Sequence, residues 1–181
     1  MDVDGCKSDL DEYARRVLMC SLTYGQSHIL VDYPAPSGAV SLAEERQQNR
    51  RPYWIEIDPN NVYGWRLDRE SNYGSLIQVR IGEKAVLPDG DFGEKIYDQI
   101  RVIEPGKYRV FRKKETVDEL YEEDTGIYPT DMSSPAVEKD FKQVESGQFS
   151  LGEIPLVTIY SGKVDNMISK PPLLDIAYLN L

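Results

Sequence analysis

The chain has 181 residues, of which 40% are hydrophobic and 29% are charged, and its net charge at pH 7 is −10. This length can bury the core of one globular domain, and no apolar run approaches the roughly 20 residues that a membrane-spanning helix needs. The acidic balance argues against tight non-specific binding to nucleic acid, which requires clustered lysine and arginine. Two cysteines and one histidine are too few for a disulfide framework or a zinc site, so we expect a reducing, intracellular origin.

The first predicted elements are an amphipathic helix over residues 8–24 and a strand over residues 28–33. Ser8 is the predicted N-cap, and Gly25 is expected to end the helix. Apolar side chains recur every three or four residues and predict the buried helix face: Leu10, Tyr13, Ala14, Val17, Leu18 and Leu22. After the glycine the period changes to two, as a half-buried strand requires.

Two residues in these elements are candidates for chemistry. The single histidine, His28, lies in the strand, and a lone strand histidine is more often structural than catalytic. Cys20 lies in the helix, where we expect a buried thiol. Spacing alone identifies no nucleophile with a base, no phosphate loop and no metal cluster, so we predict no catalytic, cofactor-binding or metal residues and no cofactor.

Residues 34–52 are predicted to form a loop and then a short, mostly polar helix. Ser41 and Glu44 match a capping box at its start. Arg46, Arg50 and Arg51 make a compact basic cluster. A solvated face is the favoured interpretation of this cluster, and a docking site for an acidic partner is the alternative.

The middle of the chain is predicted to be an antiparallel meander, with Gly82 as a possible bulge. Its strands are expected near residues 53–57, 62–67, 75–87, 95–103 and 107–112. Asp89 and Asp91 fall in a glycine-containing turn between two strands, which favours a hairpin. A calcium loop is the weaker alternative there, because the ligand expected at the twelfth position is missing.

Residues 113–150 are predicted to be a loosely structured acidic loop region. The run from Glu119 to Asp124 could suggest a hydrolase with one acid and one base. Paired catalytic carboxylates need separate environments that split their pKa values, and a polar surface run offers none. A solvated loop is therefore the preferred interpretation.

The last predicted elements are a strand over residues 155–160 and a helix that starts at Pro171. The apolar side chains of this helix are Leu173, Leu174, Ile176, Ala177, Leu179 and Leu181. The pattern contains no helix stop before Leu181, so we expect a truncated C-terminal helix and a fragment of a longer chain. The whole pattern predicts an α+β fold in a single domain over residues 1–181, with the N-terminal helix packed on a mostly antiparallel, meander-like sheet.

Several segments, in this order, resemble the portal proteins of tailed bacteriophages, and more closely a phage and prophage portal-like family catalogued as a domain of unknown function. The segments are ILVDYP, RPYW, GWR, QIRV, IPLVTIYSG and PPLLDIAYLNL. The similarity in element order covers nearly the whole chain. It implies the mixed α/β wing of a portal subunit.

The resemblance implies a structural protein rather than an enzyme. It implies self-association of the full-length protein into a ring at one capsid vertex, through which DNA is packaged and ejected. The implied partners are capsid, packaging-motor and tail-connector proteins, with no membrane and no strong DNA binding by this region. The implied location is the virion, with assembly in the bacterial cytoplasm.

Two other interpretations remain at this point. A phage head-tail adaptor, or another structural interaction module, would share the acidic, β-rich pattern. A carboxylate- or metal-dependent hydrolase or nuclease using Asp89, Asp91 or the run from Glu119 to Asp124 is the less favoured interpretation. It would require two of these groups to share a cleft and a bound metal.

Overall fold

The protein is described here by a computed structural model, which covers residues 2–33, 51–70, 74–114, 140–174 and 178. One helix, α1, spans Leu10–Tyr24. Ten strands follow: β1 Gln26–Asp32, β2 Tyr53–Ile57, β3 Val62–Leu67, β4 Leu76–Asp89, β5 Gly93–Glu104, β6 Lys107–Lys113, β7 Phe141–Gln148, β8 Leu156–Tyr160, β9 Lys163–Asp165 and β10 Ile168–Ser169. A short 3-10 helix, Pro59–Asn61, precedes β3. The chain divides into two compact units.

The first unit contains Met1–Pro59 and Pro155–Leu181. Its sheet has the strand order β2-β1-β8, with β1 antiparallel to both neighbours. The helix α1 packs on this sheet, where the Tyr13 ring lies 5.7 Å from the Trp54 ring. Tyr13 and Val17 of the helix are buried. The adjacent β1 residues Ser27 and His28, whose side chains point to opposite faces of the sheet, are both fully buried.

The second unit contains Asn60–Ile154. Its five strands run antiparallel in sequence order, β3-β4-β5-β6-β7. The centre of the sheet is fully buried at Val79, Ile81 and Val110. These β-branched residues fit a pleated, covered surface, so the core of the unit lies where β4, β5 and β6 pair side by side.

The predicted start of α1 is wrong by one residue. Asp9, not Ser8, is the N-cap, and its side chain accepts a hydrogen bond from the Glu12 amide at 2.8 Å. The predicted stop is confirmed, because Gly25 ends the helix with φ of +84°. In this left-handed conformation a glycine avoids the steric cost of a Cβ.

The predicted buried face of α1 is only partly correct. Tyr13 and Val17 are buried, but Leu10 and Leu18 are 53% and 55% exposed. The sheet beneath the helix has three strands, so it covers a narrow stripe of the helix rather than the full apolar arc. Cys20 is half-buried, where we expected a buried thiol.

Gly82 does not form the expected bulge. Pairing of β4 with β5 is continuous from Val79 opposite Ile103 to Asp89 opposite Gly93. A Cβ at this position would collide with the ring of Tyr63. The glycine therefore makes room for an aromatic side chain. The register shifts of this sheet lie in β3 and in the β6–β7 pair instead.

Three strands were not predicted. β7 lies inside the region expected to be loosely structured, residues 113–150. The short strands β9 and β10 form a separate two-stranded sheet. Other predictions fall outside the described residues. These are the loop, helix and basic residues of 34–50, the turn at 71–73, the acidic run within 115–139 and most of the C-terminal helix, at 175–177 and 179–181.

The α+β class and the antiparallel, meander-like arrangement are confirmed. The expectation of one sheet is wrong, because β1 and β2 belong to a different sheet from β3–β6. Where we expected a single domain, the chain forms two compact units. No helix in the described part of the chain is both long and apolar enough to cross a membrane.

Candidate functional site

The acidic residues considered for calcium lie in a hairpin turn. Asp89 pairs with Gly93 across the end of the β4–β5 hairpin, Gly90 has φ of +71°, and Asp91 is exposed. Over residues 2–33, 51–70, 74–114 and 140–174, no three side chains of the His, Cys, Asp or Glu type come together as metal ligands would. The pairing of β4 with β5 up to Asp89 and Gly93 confirms the predicted hairpin.

His28 is a fully buried residue of β1. Its Nδ1 lies 3.0 Å from the hydroxyl of Thr158, directly opposite on β8, and that hydroxyl donates to the Met167 sulfur at 3.4 Å. Burial lowers the pKa of His28 to about 4, with a small opposing effect from the charge of Asp58. A histidine beside a hydroxyl has the composition of a base and a nucleophile. Because solvent does not reach His28, the pair is a packed part of the sheet.

A junction closes the first unit where α1 meets the C-terminal part of the chain. The Gly25 carbonyl accepts from the amides of Ser161 and Gly162 at 2.9 and 3.1 Å. The Ser169 hydroxyl donates to the Tyr24 carbonyl at 3.0 Å, and the Lys170 amide donates to the Gly162 carbonyl at 2.8 Å. We call this group, Tyr24, Gly25, Ser161, Gly162, Ser169 and Lys170, the closing junction. It satisfies carbonyl groups that the helix end would otherwise leave unpaired.

A charged network ties residues 2–8 to α1 and β2. Arg16 donates to Asp4 at 2.8 Å and to the Ser8 hydroxyl at 2.9 Å, and it approaches Glu56 at 3.4 Å. The hydrogen bond from Arg16, with further ones from Ser8 and Cys6, holds the pKa of Asp4 well below its usual range. The Trp54 amide donates to the carbonyl of Val3 at 2.9 Å. These contacts position the start of the described chain along the edge strand β2.

The helix also shows two raised pKa values that follow from packing. Burial, reinforced by the charge of Glu56, raises the pKa of Tyr13 to about 12. Burial also raises the pKa of the Cys20 thiol, despite a hydrogen bond with Ser27. A thiol that is held protonated is a poor nucleophile. Neither group is therefore prepared for covalent chemistry at neutral pH.

The most extended polar arrangement lies on one face of the five-stranded sheet. We call it the polar ladder; its members are Glu83, Tyr97, Gln99, Arg101, Tyr108, Arg112 and Glu145. Cross-strand pairing places these residues on one face, because opposite residues in antiparallel strands share a side. The alternation in the sequence predicts that Tyr97, Gln99 and Arg101 share a side, but only the register adds the others.

The ladder is held together by charge-assisted and cation–π contacts. Glu83 accepts from Gln99 at 3.1 Å and lies 2.9 Å from the Nε of Arg101. Arg112 donates to Gln99 at 3.2 Å, and its guanidinium lies 5.7 Å from the Tyr97 ring centre. Such contacts hold planar side chains in a fixed orientation. The ladder shares its face with the buried Ile81 and Val110, which lie opposite Arg101 on the neighbouring strands.

The outer end of the same face contains Tyr108. Its hydroxyl donates to Glu145 at 2.8 Å, and the Arg101 guanidinium lies 6.0 Å from its ring centre. A Cβ on Gly147 would collide with this ring. The absence of a side chain at position 147 thus allows Tyr108 to lie flat against the edge strand β7.

Comparisons with known proteins add no family assignment. Neither the protein-family models nor the curated protein sequences yield a match to this chain.

Proposed function

We propose that this chain is a structural part of a phage or prophage portal subunit, which forms a ring at the capsid vertex for DNA packaging and ejection. The observation that supports the proposal best is the composition of the first sheet. The segments ILVDYP, RPYW and IPLVTIYSG, which carry the resemblance, contribute to β1, β2 and β8. These three strands are hydrogen-bonded neighbours although β8 lies more than 120 positions after β1.

The closing junction supports the same proposal. Through the Gly25 carbonyl it joins the end of α1 to the SG of the segment IPLVTIYSG. Segments that resemble a family only in their order along the chain would not need to come together in space. Here ILVDYP, RPYW and IPLVTIYSG contribute to one sheet, while GWR and QIRV lie in β3 and β5 of the second sheet.

A structural rather than a catalytic role fits the polar groups in the described part of the chain. His28 is sealed in the sheet, Asp4 is engaged by Arg16, and Glu83 is engaged by Arg101. Each of these three groups contacts a neighbouring side chain, as expected of groups that fix a shape. On this proposal the protein is not an enzyme and needs no cofactor.

The charge of the chain fits a subunit that lets DNA pass. With a net charge of −10, the surface offers few clustered cations to displace the counterions of DNA, so binding should be weak and strongly salt-dependent. A passage for a moving polyanion should not retain it. We therefore propose that capsid, motor and tail-connector proteins, rather than DNA, are the tight partners.

The proposal is tested by the assembly state of the full-length protein that contains these residues. Sedimentation velocity and negative-stain electron microscopy should show closed rings, because a head-to-tail contact either closes or continues into a filament. The same preparation should show no tight binding of duplex DNA at physiological salt. A full-length protein that remains monomeric at high concentration, and whose gene has no capsid genes beside it, would overturn the proposal.

A further inference from the structure

The β4–β5 hairpin extends well beyond the sheet that contains it. β3 pairs with β4 no further than Ile81, and β6 pairs with β5 no further than Gln99. Residues 84–89 and 93–98 pair only with each other among the described strands. Six residues per strand at about 3.3 Å each give a projection of roughly 20 Å. We call this projection, residues 84–98, the ribbon.

The ribbon exposes apolar side chains that an isolated hairpin would not require. Val86 and Ile96 lie directly opposite each other and are 54% and 63% exposed, and Phe92 at the tip is fully exposed. A two-stranded hairpin alone in water is only marginally stable, and an exposed aromatic on a turn contributes nothing to its stability. Such side chains are typical of a surface that another protein covers.

Charges differ between the tip and the root of the ribbon. The tip contains the exposed acidic residues Asp89, Asp91 and Glu94. At the root, where β6 ends and its neighbour β7 begins, lie four basic residues that we call the basic strand end: Arg112, Lys113, Lys114 and Lys142. The three lysines are exposed. Tip and root are therefore complementary surfaces at different places on the same unit.

We infer that the ribbon is an arm that docks on a second copy of this chain, with its acidic tip on the neighbour's basic strand end. The inference rests on the proposed ring and specifies one of its contacts. Because the two surfaces differ, the contact is heterologous, and repetition of one such contact generates a ring when the rotation between neighbours closes. Phe92 and the Val86–Ile96 pair would supply the apolar centre of the interface, with the opposite charges around it.

The charges are tested by reversal in the full-length protein. Asp91→Lys with Glu94→Lys reverses the tip, and Lys113→Glu with Lys114→Glu reverses the root. Each double variant alone should lose assembly in sedimentation velocity, since like charges then face each other. The variant that carries all four substitutions should assemble again, because every tip then meets a root of opposite charge. Glu70→Lys with Glu153→Lys, both exposed residues, is the control and should assemble normally.

The apolar contact is tested separately by Phe92→Ser. This side chain is fully exposed, so the melting temperature of the dissociated subunit should not change. Association should weaken at least about tenfold, the effect expected of an aromatic anchor. Unchanged association would overturn the assignment of Phe92 to the interface.

The outcomes separate this inference from the proposed ring. If rings still form after the tip charges are reversed, the inferred docking contact of the arm is wrong and the portal proposal is unaffected. If assembly depends on the tip charges but gives no rings, the docking contact is supported and the proposed portal ring is wrong. Failure of the variant with all four substitutions to assemble overturns the basic strand end as the partner surface. A wild-type protein that never associates overturns both.

Discussion

At the scale of single residues, neighbouring positions of α1 have opposite environments. Val17 is 5% exposed and Leu18 is 55% exposed. The apolar pattern of the sequence assigns both to the core, because periodicity identifies apolar residues and not the width of the surface that covers them. The three-stranded sheet covers only the stripe that includes Tyr13, Val17 and Ser21.

This difference predicts different costs of truncation. Val17→Ala should lower the free energy of unfolding by on the order of 1 to 3 kcal/mol, because it removes buried methyl groups and leaves a cavity. Leu18→Ala, the matched control on the exposed face, should change it by less than about 0.5 kcal/mol. Chemical denaturation of both variants measures the difference. Equal losses would contradict the assignment of the buried stripe.

Buried His28 predicts a dependence of stability on pH. Its pKa is lowered from 6.5 to about 4 in the folded protein by burial. Between these values the unfolded chain binds a proton that the folded chain excludes. The contribution of the neutral, buried ring is therefore fully present above pH 6.5 and is lost progressively as the pH falls towards 4.

Two measurements check this prediction. NMR titration of the folded protein should show no protonation of the ring down to about pH 5. Denaturation midpoints at pH 7.5 and 4.5 should differ less in His28→Gln than in the wild type, since carboxylates contribute equally to both proteins. A native titration near 6.5 would show that the ring is accessible to solvent.

The N-cap shows how local chemistry limits a prediction at this scale. Ser8 and Asp9 are both good capping residues, and their sequence contexts do not separate them. In the structure the Ser8 hydroxyl accepts from Arg16, and its amide donates to Asp4. Asp9 is left to cap the helix. The choice depends on Arg16, about two helical turns after Ser8. The capping motif covers only the first turn and does not include this residue.

At the scale of elements, the closing junction predicts an unusually sensitive glycine. Gly25 has φ of +84°, and a Cβ there would lie 2.6 to 2.9 Å from backbone atoms of Lys170 and Pro171. Gly90 has a similar φ of +71° with no atom within 4 Å. An alanine at either position would therefore lose about 1 to 2 kcal/mol to the left-handed conformation. Only at Gly25 would its Cβ also collide with backbone atoms.

Alanine substitutions should separate these two effects. Gly90→Ala should cost about 1 to 2 kcal/mol. Gly25→Ala should cost at least about 1 kcal/mol more, because the junction must shift to accommodate the new atom. Thermal or chemical unfolding of the two variants measures the difference. Equal costs would mean that the backbone near Lys170 moves away freely.

Strand prediction succeeded where apolar residues alternate and failed where they do not. β1 to β6 and β8 have alternating or β-branched patterns, and all were predicted within a few residues. β7, FKQVESGQ, is an edge strand in which Phe141 and Gly147 alone are partly covered. Such a strand pairs through its backbone, so its side chains carry little periodic signal, and the nearby acidic run suggested a loop.

At the scale of the whole molecule, the two units predict different behaviour of isolated segments. The strands of Asn60–Ile154 pair only with one another in the order of the sequence. This segment should therefore fold alone, with a cooperative transition and a β-type circular dichroism spectrum. Residues 1–59 alone should not fold, since β1 would lack β8 along one edge. A folded 1–59 segment would contradict the role given to β8.

The candidate site could be predicted less well than the fold. The members of the polar ladder come from four strands, β4 to β7. Alternation within β5 places Tyr97, Gln99 and Arg101 on one side, but Glu83 and Arg112 join them only through the strand register. The division into two sheets likewise cannot be predicted from the sequence, because the alternation of apolar and polar residues in a strand is the same whichever sheet it joins.

The late position of β8 has a consequence for how the protein is made. Its partner β1 leaves the ribosome early, yet the pairing of Gln26 with Tyr160 and of Leu30 with Leu156 must wait for about 130 further residues. At 5 to 20 residues per second this delay is roughly 7 to 26 seconds. In the nascent chain, α1 and β1 therefore lack the neighbouring strand β8 while the strands of Asn60–Ile154 form their hairpins. During synthesis the middle of the chain is expected to fold before its beginning.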